Sequence, residues 1–298
     1  MSSIFDKNSI FFIPWCYFFI HKSNTMKAFI SLVFCSFTIL FSCVEHDIDI
    51  AQNSVENHDL LLDDMIFTPE QLDILSQDNS FKAASKEVFT KWHNCTVTYK
   101  IDQNNSPQNH QLQTLFSAMR DIEAFSGVRF KYATLHAPRS SYMLITTMDD
   151  PGGRATVGKV SKSRIEIGPT QFTTRAARHE LLHILGIVHE HQRSDAHTYI
   201  NFHEENMRSE WKEFILPKSN YEGFGTLDFG SIMIYSSFAG ITNPESCCSC
   251  NRATWTKMDG TCLGERSVST NFSQKDKDHV NFLYPCTVTG PSGGGNEQ

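Results

Sequence analysis

One stretch of twelve residues carries histidines and glutamates whose types and spacing suit metal chemistry: His179-Glu180-Leu181-Leu182-His183-Ile184-Leu185-Gly186-Ile187-Val188-His189-Glu190. On a helix, residues four apart are separated by about 400° of rotation and about 6 Å of rise. The imidazoles of His179 and His183 therefore leave one face. Two ring nitrogens so placed can meet one zinc ion at about 2.0–2.1 Å each. Glu180 follows the first histidine and precedes the second by three, where a general base for a metal-activated water belongs. Gly186 tolerates positive φ, so the helix can stop there and the chain can turn back. The turn would bring His189 in as a third nitrogen. Three protein ligands leave one position for water, the arrangement of a catalytic rather than a closed structural site. The expectation is one zinc per chain on His179, His183 and His189, with Glu180 as base. An amphipathic helix with two incidental histidines leaves Gly186 and His189 at those offsets unexplained.

The pattern His-Glu-x-x-His-x-x-Gly-x-x-His resembles the metzincin signature. Its continuation, His189-Glu190-His191-Gln192-Arg193-Ser194-Asp195, is similar to the His-Glu-x-x-Arg-x-Asp of the astacin family. Further on, Ser231-Ile232-Met233-Ile234-Tyr235 resembles that family's Met-turn, and the likeness runs from about Ala83 to Cys286. The resemblance implies that Met233 is an apolar floor beneath the metal. It also implies that Tyr235 is a displaceable ligand that turns toward the substrate carbonyl. Taken without it, Met233 reads as core and Tyr235 as half-buried packing. The implied fold is α+β, the metzincin zinc-protease fold: an upper twisted mixed sheet with two long helices and a lower loop-rich half ending in a C-terminal helix. The implied activity is that of a secreted or surface-anchored zinc endopeptidase made as a zymogen and acting on proteins or peptides. The alternatives are a zinc-binding, non-catalytic interaction protein and a metzincin of another class. The intact Glu180 speaks against the first, and Glu190 after the third histidine against the second.

Composition bounds the rest. At 298 residues and 40% hydrophobic content, one domain with flanking segments can bury a full core. A net charge of −7, with no basic run, argues against a nucleic-acid partner. Nine cysteines point to an oxidising compartment. The expected state is a monomer.

Four segments follow. Residues 1–43 read as a leader: Met26-Lys27 is the candidate true start, and Ala28 to Phe41 has the length of a signal-peptide core rather than a membrane span. Leu40-Phe41-Ser42-Cys43 looks like a bacterial lipoprotein cleavage box, which makes Cys43 a candidate lipid anchor and membrane contact a matter of signal or anchor alone. Residues 44–82 are acidic and read as a pro-segment, with Pro69 opening a short helix over Glu70 to Leu75. Residues 83–287 form the catalytic domain and 288–298 a Gly-rich tail. Lys82 offers an activating trypsin-like protease its cleavage site ahead of Ala83. In the family the new amino terminus folds toward the glutamate after the third histidine, here Glu190, since a buried carboxylate needs a cation. Most members carry Phe-x-Gly-Asp in the pro-segment, whose Asp blocks the metal. This chain lacks it, which leaves two blocking groups open: one of the acidic residues of 44–82, or an unlipidated Cys43 thiolate.

The elements that must position the site are read from periodicity. Strands are expected over Cys95 to Ile101, Val128 to Tyr132, Ser141 to Thr147 and Arg164 to Ile167. A helix runs from Pro107 to about Phe125, and Thr173 or Thr174 caps the active-site helix. Phe202 to Phe214 is expected as a helix with an acidic start, and Ser273 with Asp276 opens a last helix through Leu283. By resemblance, an edge strand above the cleft pairs with an extended substrate. Six cysteines lie beyond Lys82: Cys95, Cys247, Cys248, Cys250, Cys262 and Cys286. Cys95 with Cys286 would clamp both domain ends, and the other four form two disulfides or a second zinc site. Gly127 stands where a family cysteine is expected, so the family's bridges cannot be copied over. His191, His197, His203 and His279 fall outside ligand offsets and read as surface or hydrogen-bonding residues.

Overall fold

The computed structural model describes residues 60–62, 64–76, 90–242, 249–264 and 268–287. The leader with Cys43, the Lys82–Ala83 junction, Cys247, Cys248 and the Gly-rich tail lie outside them.

The apolar alternations become a seven-stranded sheet. Its members are β1 (Leu60–Leu62), β2 (Met65–Phe67), β3 (Thr96–Ile101), β4 (Arg129–Tyr132), β5 (Met143–Thr147), β6 (Gly153–Thr156) and β7 (Arg164–Ile167), in the order β1-β2-β6-β7-β5-β3-β4. β3, β4, β5 and β7 run parallel, whereas β6 is antiparallel to β7. β2 then lies parallel on the outer side of β6, pairing Met65 with Ala155 and Ile66 with Thr156. Without the β1–β2 hairpin, β6 would be the edge. Sequence periodicity misses β6, which opens at Gly153 directly after Gly152, a pair with little strand propensity.

Two helices pack together against the sheet: α2 (Asn109–Phe125) and α3 (Thr174–Ile184). Leu115, Met119 and Ile122 of α2 share a buried core with Ala177, Leu181 and Leu182 of α3 and with Val97, Ile145 and Ile165 of the sheet. Thr173 caps α3, its Oγ1 accepting from the Ala176 N–H at 3.3 Å. The far end is closed by distant residues. Trp92 Nε1 donates to the Ile184 carbonyl at 2.9 Å and Tyr284 Oη to that of Leu185 at 3.1 Å. Carbonyls that a helix end leaves without intrahelical partners are thereby satisfied.

The lower half is mostly loop. It holds β8 (Ile200–Phe202), which pairs with β9 (Trp255–Lys257), the single turn α4 (Lys212–Ile215) and the closing helix α5 (Gln274–Leu283). The short helix of the acidic segment is α1 (Pro69–Ser76). The helix expected over Phe202 to Phe214 does not form. Phe202 instead pairs with Trp255, and the rest is 3-10 turns ahead of α4. The acidic start satisfies a helix-opening rule, but burying Trp255 against β8 decides the backbone.

Cys95 is bonded to Cys286, clamping the start of β3 to the chain after α5, and Cys250 is bonded to Cys262. No second metal cluster lies among the described residues. Gly127 explains the departure in bridge pattern. A Cβ built there would sit 2.7 Å from the Cys286 Cβ and 2.3 Å from its carbonyl oxygen, so the chain needs glycine where Cys286 pairs with Cys95.

Candidate metal centre and its closure

The site is built outward from α3. His179 and His183 leave one face of it and are buried. Gly186 follows at φ 91°, a conformation that any Cβ would strain, and the chain turns back. His189 then joins the other two, with ring centroids 5.2 Å from His179 and 4.9 Å from His183.

Each ring is oriented through its Nδ1. His179 donates to the Ile232 carbonyl at 2.9 Å, His183 to that of Ile187 at 2.7 Å, and His189 to Gln192 Oε1 at 3.2 Å. Gln192 Nε2 in turn donates to the Glu213 carbonyl, which fixes Oε1 as the acceptor. All three Nε2 atoms therefore present lone pairs to one point. His179 Nε2 and His189 Nε2 lie only 3.2 Å apart, and His183 Nε2 is buried without a hydrogen-bond partner. Neutral imidazoles so arranged repel unless a cation lies between them. The donor set fits zinc, since nitrogen and carboxylate donors lie within 4.8 Å of one another. Burial lowers the His183 pKa to about 4, so that ring stays neutral and able to ligate.

The fourth member is Asp64, from the turn that leads into β2. Its Oδ2 lies 3.1 Å from His179 Nε2, and its Oδ1 lies 3.0 Å from His189 Nε2 and 3.3 Å from His183 Nε2. Burial works to raise its pKa, but the closeness of His189, His179 and His183 holds it well below the ordinary carboxylate value. The Tyr235 hydroxyl donates to its Oδ2 at 3.2 Å. Among the acidic residues the sequence leaves open, Asp64 thus meets the three imidazoles.

Glu180 is buried beside His179 on α3. A Cβ on Gly153 would come within 3.0 Å of its Cγ, so the glycine at the start of β6 leaves room for the carboxylate. The charges of Asp64 and Glu180 both reach Arg175, whose guanidinium is pulled below its ordinary pKa by burial.

Met233 is buried in the main core, and its carbonyl accepts from the Glu190 N–H at 3.0 Å. The turn is braced from α5: Asp276 accepts from Ser231 Oγ at 2.6 Å, Ile232 N–H at 3.0 Å and Ser273 N–H at 2.9 Å. The helix-capping aspartate thereby holds Ile232, whose carbonyl orients His179.

Two histidines depart from the surface reading: His191, and His279, which is half-buried and stacks on Phe224. His191 is fully buried, not at the surface. Its Nε2 donates to the Phe214 carbonyl at 3.0 Å, and its ring lies against Tyr235 and His189 at 4.6 and 5.3 Å. Glu190, which the resemblance pairs with a new amino terminus after processing, is paired in the unprocessed chain with Arg193, whose Nη1 donates to Oε1 at 2.8 Å. The Asp228 N–H donates to the same oxygen at 2.8 Å. Burial raises the Glu190 carboxyl above its ordinary value, against these two donors. Gly223 makes room for Arg193, since a Cβ there would overlap the guanidinium. Among the remaining histidines, His197 is exposed and His203 bonds Thr256 Oγ1 at 3.0 Å, as a surface and hydrogen-bonding reading expects.

A helix with two histidines, a glycine turn to a third and a buried glutamate beside them define a metallopeptidase site of the metzincin type. Comparison with known proteins is consistent with that class. The profile of the astacin peptidase family matches residues 84–285, so the chain belongs to the astacin family of zinc metallopeptidases. It is 27% identical over 243 residues to flavastacin of Elizabethkingia meningoseptica, covering 78% of this chain and 52% of that protein. It is 27% identical over 203 residues to astacin-like metalloprotease toxin 2 of Loxosceles intermedia, covering 66% and 74%. The chain thus spans about half of flavastacin. Among solved structures, high choriolytic enzyme 1, a hatching-enzyme zinc protease of Oryzias latipes, shares the fold with a TM-score of 0.51 at 21% identity, covering 70% of this chain and 98% of that one.

Proposed function

We propose that this protein is a zinc endopeptidase made as a zymogen, with residues 44–82 as pro-segment, 83–287 as catalytic domain and 288–298 as tail. His179, His183 and His189 hold the metal, and Asp64 covers it until the pro-segment is removed. The observation that carries the reading is that three Nε2 atoms and the Asp64 carboxylate, all electron-pair donors, gather around one point, an arrangement that a cation stabilises. Zinc in that position supplies Lewis acidity toward water and toward a peptide carbonyl. Glu180, buried beside it, takes a proton from water and delivers it to the departing amine. The Tyr235 hydroxyl, which now donates to Asp64, turns its donor to the developing oxyanion once that carboxylate leaves. Met233 and Gly186 support the ligands from below and behind.

A trypsin-like protease cutting after Lys82 would be the activator. The disulfides Cys95–Cys286 and Cys250–Cys262 support an oxidising, extracytoplasmic location. The leader supplies export, and Cys43 is the candidate anchor. No helix among the described residues is long and apolar enough to cross a membrane. We expect a monomer acting on proteins or peptides.

The test is casein cleavage by the purified full-length chain before and after trypsin. Cleavage that appears after trypsin, disappears with a zinc chelator and returns with added zinc is expected. No cleavage by the trypsin-treated, zinc-loaded protein would overturn the reading.

A further inference from the structure

The hairpin that delivers Asp64 does more than block the metal. Met65 and Phe67 are buried and pack with Val157, Val188 and Tyr221. Val157 follows β6, Val188 precedes the third histidine, and Tyr221 belongs to the lower half. The wall therefore flanks the metal centre and joins both halves of the domain. The backbone of the hairpin is held by the same strand: the Ala155 N–H donates to the Asp64 carbonyl at 2.8 Å and the Val157 N–H to that of Ile66 at 3.3 Å. Side chains 65 and 67 share one face of β2, as alternate residues of a strand do. An apolar surface of this kind, left bare beside a reactive centre, is a recognition site.

We propose that the recess filled by Met65 and Phe67 is a substrate subsite. The processed enzyme selects polypeptides that carry a large apolar side chain, Phe, Met or Leu, within three positions of the scissile bond. The inference rests on the reading above, in which Asp64 and its strand leave the cleft. A substrate laid on β6 meets the two amide donors that β2 releases. An apolar side chain one or three residues from the group at the metal then falls against Val157, Val188 and Tyr221. Burying one large apolar side chain there is worth about 10- to 100-fold in kcat/KM over a small residue.

The experiment is cleavage-site profiling of the trypsin-processed, zinc-loaded protein on a peptide library, with casein as a parallel substrate. At one position within three of the cut, Phe, Met or Leu should exceed Ala and Asp by at least about 10-fold. A synthetic peptide of residues 60–76 added in trans should inhibit cleavage. Its M65A/F67A version should need at least about 10-fold more peptide for the same inhibition. A flat profile with casein still cleaved, or equal inhibition by the two peptides, overturns the subsite and leaves the protease reading standing. Failure to cleave either the library or casein overturns both.

Discussion

Asp64 Oδ1 lies 3.0 Å from His189 Nε2, so a residue of the acidic segment and the last of the three metal-site histidines share one contact although 125 positions separate them. The contact is made by a strand that adds itself to β6, and the docking of that strand gives the carboxylate its aim. Two features follow from the pairing. The three imidazoles are pre-arranged by their Nδ1 bonds, and a carboxylate from the acidic segment lies within 3.3 Å of each of their Nε2 atoms.

Glu180 is positioned by α3 and by the absence of a side chain on Gly153, and it stands outside the group of donors formed by Asp64 and the three histidines. Glu180→Gln should keep one zinc per chain by metal analysis of the processed protein. Its turnover should fall at least about 100-fold. Near-normal turnover with zinc retained contradicts its role as base.

The Tyr235 hydroxyl donates to Asp64 Oδ2, the carboxylate that lies among the three histidines. Tyr235→Phe in the processed enzyme should lower kcat by about 10-fold or more with a smaller change in KM. A change confined to KM contradicts transition-state donation.

The Cys95–Cys286 bond closes a loop of 191 residues between the first strand of the domain and the chain after α5. Constraining the unfolded chain over that length stabilises the fold by about 2–5 kcal/mol. The double variant C95S/C286S should show that loss in urea unfolding followed by fluorescence. An unchanged midpoint would show that the clamp adds nothing.

His279 of α5 stacks on Phe224 with ring centroids 5.2 Å apart, and burial lowers its pKa from 6.5 to about 4. The folded state therefore releases a proton that the unfolded state binds between those values. Its contribution is complete when both forms are neutral, above about pH 6.5, and stability falls as pH drops toward 4. The displacement corresponds to a loss of about 3 kcal/mol over that window. His279→Phe should flatten this part of the stability curve, measured by denaturant titration between pH 4 and 7. The same slope in the variant contradicts the assignment.

Much of the site was legible because it is local. His179, His183 and Glu180 share one helix, Thr173 caps it, and Gly186 ends it, all within rules of spacing and φ. Cys95 and Cys286 were legible as a pair because they stand at the two ends of the domain. The remainder depends on contacts between distant segments. Asp64 is one of ten acidic residues in 44–82, and only the docking of Met65–Phe67 on β6 selects it. His191 lies against both His189 and Tyr235 because a carbonyl 23 residues away, that of Phe214, accepts a hydrogen bond from its ring. Glu190 finds Arg193 because Gly223, on another loop, leaves the guanidinium room. β6 itself gains its strand character from β7 and β2 rather than from Gly152-Gly153.

The most direct measurement is casein cleavage by the unprocessed, zinc-loaded chain carrying Asp64→Ala, beside the unprocessed parent. Removing the carboxylate should open the metal site and give the variant at least about 10-fold more activity before any trypsin is added. Equal latency in the two proteins, with both fully active after trypsin, would contradict Asp64 as the group that closes the site.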